Sequence, residues 1–272
     1  MPDLPFHTEL VTTIIAICTT ACFGLVLGGV LWQRYTRALP PIPLFPGSTF
    51  PNAFAYSYTA FFILTFSMAS IQNVMEPELE TSLSAQILSC LIQVVLYAPF
   101  LIVYFSLPRR ETPASSLLRK IGWVVLSLFS IWFFSALLEL SQFNKWLAEM
   151  TDCPPVQDVV ERMLHGENSE KALMAIMAVF VAPITEECCF RGFVYNILKR
   201  WNGRWIATLA SSLLFASVHG SLLQLLPLTI VGIVLCMAYE KARSLWLPVV
   251  IHTSFNACSV LAILLLSEYI PV

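Results

Sequence analysis

"ALMAIMAVFVAPITEECCFRGF", residues 172–193, is the stretch whose reading decides the fold. An apolar run long enough to enter a membrane carries two adjacent glutamates and an arginine, in a chain that otherwise keeps charge away from such runs. On the insertion scale an acidic or basic side chain near the centre of a spanning helix costs roughly 2.5–3.5 kcal/mol, so three unpaired ones would cost on the order of 8–10 kcal/mol. Glu187 and Arg191 are spaced i and i+4, on one helix face, so a single ion pair accounts for two of the charges. Glu186 is rotated about 100° from Glu187 and has no basic partner in its own helix, so it must be protonated or face a polar cavity. Pro183, three residues earlier, lacks an N–H and predicts a kink that opens room for water.

The rest of the chain agrees with a membrane setting. Of its 272 residues 57% are hydrophobic and 12% charged, with a mean hydropathy of +0.75, whereas soluble domains carry about 25% charged residues. A net charge of -2 offers no basic surface to nucleic acid. Seven of the eight cysteines lie in apolar runs and only Cys153 in a polar loop, which argues for packing rather than a disulfide framework.

A spanning helix needs about 20 apolar residues, and eight stretches qualify: 10–32, 53–72, 84–107, 121–140, 172–198, 205–220, 221–239 and 245–267. The predicted fold is all-α, a polytopic membrane bundle of about eight transmembrane helices forming one domain over 1–272. The first helix is not read as a cleaved signal peptide, because Asp3 and Glu9 precede it and it is too long. Eleven of the fifteen basic residues fall in alternate connections: Arg34 and Arg37; Arg109, Arg110, Arg119 and Lys120; Lys199, Arg200 and Arg204; Lys241 and Arg243. That bias places both termini on the exterior or lumenal side. In the long connection 141–171, Val156, Val159, Val160, Met163 and Leu164 recur at helical spacing before Gly166, which predicts a short helix on the outer surface.

Two later helices carry further polar residues. "FASVHG" spaces Phe215 and His219 four apart, and "HTSFNA" does the same for His252 and Asn256. Two of only four histidines, one asparagine and the leftover Glu186 thus gather in the C-terminal third, which points to a shared site. At 1.5 Å per residue Glu186 and His252 fall in the inner half of a core about 30 Å thick, while His219, counted from Trp205, falls about 10 Å nearer the outer face.

The order Glu-Glu-x-x-x-Arg (Glu186, Glu187, Arg191), Phe-x-x-x-His (Phe215, His219) and His-x-x-x-Asn (His252, Asn256) resembles the three motifs of the CAAX protease and bacteriocin-processing family, which includes the type II CAAX prenyl endopeptidases. The resemblance covers about residues 172–260, which would be the catalytic core helices. It implies an intramembrane endopeptidase in which Glu186 and His219 activate water and His252 and Asn256 stabilise the oxyanion. Glu187, Arg191 and Phe215 would support the site. The implied partners are a lipid bilayer and a peptide or protein substrate, prenylated in one branch of the family, in a bacterial cell membrane or the endoplasmic reticulum.

No cofactor is expected from this chemistry, although Glu186, His219 and His252 could also form a two-His, one-carboxylate zinc set. The helix-borne H-E-x-x-H signature is absent. A thiol nucleophile at Cys188 or Cys189 would need an electropositive setting, and two neighbouring carboxylates supply the opposite. The rival from another class is a transporter or a non-catalytic scaffold or immunity protein using the same residues structurally.

Overall fold

The computed structural model describes residues 6–36, 52–75, 83–106, 117–151 and 158–265. Among them there are helices and turns and no strands. In chain order the helices are α1 (Phe6–Thr36), α2 (Asn52–Met75), α3 (Leu83–Ser106), α4 (Leu117–Leu140), α5 (Phe143–Thr151), α6 (Asp158–His165), α7 (Asn168–Ile176), α8 (Ala182–Glu187), α9 (Tyr195–Ser217), α10 (Leu222–Ala242) and α11 (Trp246–Leu265). Two π-helical segments, Met177–Val181 and Cys188–Val194, join α7 to α8 and α8 to α9 without a break.

Among the described residues, five helices are long and apolar enough to cross a membrane: Thr8–Gly28, Leu118–Leu140, Asn168–Ser217, Leu222–Ala242 and Trp246–Leu265, with Ser57–Ile71 a shorter apolar helix. This is a helical membrane bundle, and the chain is an integral membrane protein. The helical stretch Asn168–Ser217 combines two predicted spans. Arg191 lies over the Phe215 ring at 4.6 Å, although 24 residues of uninterrupted helix would part them by about 36 Å. The chain must therefore double back between them, and the break is Gly203, whose φ of 79° and ψ of 172° are non-helical. A left-handed φ is open to glycine without the Cβ penalty other residues incur. With that reversal, and with α2 and α3 at 24 residues each, a described helix falls in each of the eight predicted segments, five helices meeting the length and hydropathy of a span.

The predicted short helix in the 141–171 connection is α6, ending before Gly166, and α5 precedes it. Val156, Cys153, Arg37, Arg109 and Arg110 lie outside the described residues.

The largest buried cluster is built around the charged helix rather than away from it. Cys188, Cys189, Phe190, Phe193, Leu198, Leu214 and Phe215 meet Phe62, Tyr97 and Phe100 of α2 and α3. Edge-to-face pairs carry this wall: Phe62 on Phe100 at 5.0 Å, Phe100 on Phe193 at 4.7 Å and Phe190 on Phe215 at 5.2 Å. Each such pair contributes about 0.5–1.5 kcal/mol beyond its burial. The early helices thus hold the back of the motif-bearing helix, while α10 and α11 close its front.

Candidate active site

The charged cluster lies where three elements meet. α8 carries Glu186 and Glu187, the π-helical segment after it carries Arg191, and α11 supplies His252 and Asn256. Glu187 and Arg191 are fully buried and paired, with Arg191 Nη1 donating to Glu187 Oε1 at 2.8 Å. This is the i, i+4 pair expected from the spacing. Arg191 gains two further partners: Nη2 donates to the Gly232 carbonyl at 3.3 Å, and the guanidinium lies 4.6 Å from the Phe215 ring centre. A desolvated cation over an aromatic face gains about 2 kcal/mol.

Glu187 does more than the sequence indicated. Its Oε1 also accepts from His252 Nδ1 at 2.9 Å, so one carboxylate oxygen serves both Arg191 and His252. A histidine whose Nδ1 is held this way has its ring orientation set, and it turns Nε2 outward from the pair. His252 Nε2 lies 4.0 Å from Glu186 Oε2, on a carboxylate that keeps 14% of its surface accessible. Glu186 therefore faces the imidazole from the open side of the cluster, while Glu187 holds it from the buried side.

His219 and Asn256 stand differently from each other. His219 is exposed in the turn after α9, with Nδ1 at 2.7 Å from the Phe215 carbonyl. The Phe215 ring contacts both imidazoles, 4.8 Å from His219 and 5.9 Å from His252. The mismatch in depth between Glu186 and His219 disappears once both are counted from the reversal at Gly203. Glu187 precedes Gly203 by sixteen residues and His219 follows it by sixteen, and Arg191 and Phe215 each lie twelve away and touch. Measuring from opposite ends of a helix longer than the membrane core produced the apparent offset. Asn256 Nδ2 donates to the Ala178 carbonyl at 2.7 Å, a contact that spacing alone did not suggest.

Among the described residues no group of three His, Cys, Asp or Glu side chains comes together that could hold a metal ion. Glu186 and His252 supply two donors, and a closed or catalytic zinc site needs at least three from the protein. Cys188 and Cys189 are buried against the aromatic wall, with 1% and 0% of their surface exposed. A thiol so enclosed cannot reach a substrate carbonyl. Replacing both by alanine changes only packing volume and is expected to cost modest stability, read by thermal unfolding in detergent.

The front of the site depends on close approach of α10. A Cβ at Gly232 would stand 2.8 Å from Ser212 Cβ and 3.0 Å from Ser212 Cα, so α10 approaches α9 as closely as it does only because residue 232 has no side chain. Gly232→Ala is expected to destabilise the protein by about 1–3 kcal/mol, the usual cost of overpacking, and to draw the 232 carbonyl away from Arg191. Thermal unfolding in detergent reads this, and Ser212→Gly in the same chain should restore part of the loss.

Residues 168–258 match the family model described as type II CAAX prenyl endopeptidase Rce1-like. The chain is 33% identical over 84 residues to the "Putative membrane peptidase YdiL" of Bacillus subtilis (strain 168), covering 31% of this chain and 34% of that protein. It is 29% identical over 105 residues to the "Uncharacterized 24.3 kDa protein" of Escherichia coli, covering 36% of this chain and 48% of that one. The chain thus spans about a third to a half of the length of the curated relatives it matches. No solved structure matches. The resemblance carried by the three short motifs extends over residues 168–258, which are similar in sequence to that family.

Proposed function

We propose that this protein is an intramembrane endopeptidase in which Glu186 activates water. One observation carries the reading: Glu186 Oε2 is 4.0 Å from His252 Nε2, while His252 Nδ1 is anchored on Glu187. A gap of 4.0 Å is too long for a direct hydrogen bond, but two bonds of about 2.8 Å meeting at one water span it. Peptide hydrolysis needs a proton acceptor for that water, a donor toward the developing oxyanion and an acid for the leaving amine. Glu186 takes the proton and later returns it to the amine nitrogen as the C–N bond breaks. His252, its ring fixed by the Nδ1–H bond to Glu187, holds that water through Nε2, and with the ring doubly protonated Nε2–H is the donor toward the oxyanion. His219, exposed one helical turn beyond Phe215 and 4.8 Å from its ring, is the further imidazole proposed to position water or substrate.

The match to a prenyl endopeptidase family and to a relative named as a membrane peptidase supports peptide bonds as the target. A prenylated C-terminal peptide is the substrate class that follows, with the lipid chain lying in the bilayer beside the site. The bias of basic residues supports both termini outside, and the inner-half position expected for Glu186 and His252 supports substrate entry from the cytoplasmic side.

The test is cleavage of an internally quenched peptide with a farnesylated C-terminal cysteine motif, beside its unprenylated twin, by purified protein in lipid nanodiscs. The expected result is cleavage that favours the prenylated peptide and survives chelation. Equal cleavage of both would remove the prenyl preference. Activity lost with chelator and restored by zinc would replace the metal-free mechanism.

A further inference from the structure

Asn256 does not sit in open space awaiting an oxyanion; it is bonded to backbone, and the reason lies in the helix opposite. In the π-helical segment Met177–Val181 the Ala182 N–H donates to the Met177 carbonyl, five residues back. Continued by one residue, this register would have residue 183 donate to the Ala178 carbonyl. Residue 183 is proline and has no N–H to give. A backbone carbonyl within a membrane helix that has no donor is costly, so its partner must come from elsewhere. It comes from Asn256, whose Nδ2 is 2.7 Å from Ala178 O.

One turn earlier on the same face of α11, His252 Nδ1 holds Glu187 at 2.9 Å. α8, six residues long, is thus gripped by α11 just before its start, through Asn256 and Ala178, and at its end, through His252 and Glu187. Glu186 lies within that clamped turn. Segments of π-helix inside longer helices often mark functional sites, and here the mismatch they create is what Asn256 resolves.

We propose that Asn256 is a positioning residue: it caps the Ala178 carbonyl left unserved by Pro183, and so fixes the turn bearing Glu186 against the α11 face bearing His252. This rests on the endopeptidase reading for its catalytic consequence, and on the backbone geometry alone for its structural one. It differs in kind from an oxyanion role, because it makes the importance of Asn256 conditional on the proline.

The experiment is a double-mutant cycle on Pro183→Ala and Asn256→Ala. It reads kcat and KM on the farnesylated and unfarnesylated peptides, and melting temperature in detergent. Asn256→Ala is expected to lower kcat about ten- to a hundredfold with KM little changed, since small displacements of reacting groups have effects of that size. It should also lower the melting temperature by a few degrees. In the Pro183→Ala background residue 183 carries an N–H that can serve Ala178, so adding Asn256→Ala should cost far less in both readouts. Asn256→Asp in the parent should fail like alanine, because a carboxylate has no N–H for a carbonyl. Equal losses in both backgrounds would overturn the proposal and leave Asn256 acting independently of the freed carbonyl. If even the parent protein cleaves neither peptide, the endopeptidase reading falls, and the melting-temperature cycle alone decides the clamp: coupling supports it and additivity overturns it.

Discussion

Glu186→Gln is expected to lower kcat for peptide cleavage by about 10²–10⁴-fold, the usual contribution of a positioned general base. Glutamine keeps the shape and the hydrogen-bonding reach of the side chain but cannot take a proton from water. Because Glu186 is partly exposed and its 4.0 Å separation from His252 is not a direct hydrogen bond, the fold should not depend on its charge. Melting temperature should therefore stay near that of the parent while turnover collapses. Initial-rate kinetics on the farnesylated peptide, beside a thermal scan, separate the two effects. A variant that cuts at the parental rate would remove Glu186 from the chemistry and leave the polar cluster as a structural or scaffold network.

The neighbouring glutamate should behave in the opposite way. Glu187→Ala strips Arg191 and His252 of the carboxylate oxygen they share, and it leaves Arg191 buried with only the Gly232 carbonyl and the Phe215 face to oppose its charge. Removing one partner of a buried ion pair typically costs about 3–5 kcal/mol, because the cost of the remaining buried charge is no longer offset. The expected outcome is a large fall in melting temperature together with loss of activity. Replacing the pair as a unit, Glu187→Leu with Arg191→Leu, should restore much of the stability, since no buried charge is then stranded. It should not restore activity, because His252 Nδ1 loses its anchor. If the single variant melts like the parent, the site does not depend on this pair for its packing.

These two predictions assign different work to adjacent residues, and the assignment follows from helix geometry. Glu186 and Glu187 point about 100° apart, so one can enter the buried face while the other meets the open side. That division was legible from residue spacing. The spans and the order of the three motifs were legible too, because apolar runs of sufficient length and i, i+4 spacings are local properties. The helix in the 141–171 connection was readable for the same reason.

Other features required neighbours that spacing cannot name. The second partner of Glu187 is 65 positions away at His252, and Asn256 reaches back 78 positions to a backbone carbonyl. Pro183 indicated a disturbed helix, and the form the disturbance took lay beyond spacing. The helix adjusted its register, through two π-helical segments that keep Glu186 and Glu187 within one continuous helix. The equal depth of Glu187 and His219 likewise followed from where the chain reverses, at Gly203, rather than from where apolar runs begin and end.

The sequence by itself determined that this chain lies in a membrane as a helical bundle, and that one carboxylate in its charged helix has no local partner. Both follow from transfer energies and helical periodicity, which act within a single segment. Only the tertiary structure decided that Glu187 anchors His252, that His252 faces Glu186, and that Asn256 donates to the Ala178 carbonyl. Those outcomes depend on which faces of separate helices meet, and that is set by the close approach at Gly232 and the aromatic wall behind the site.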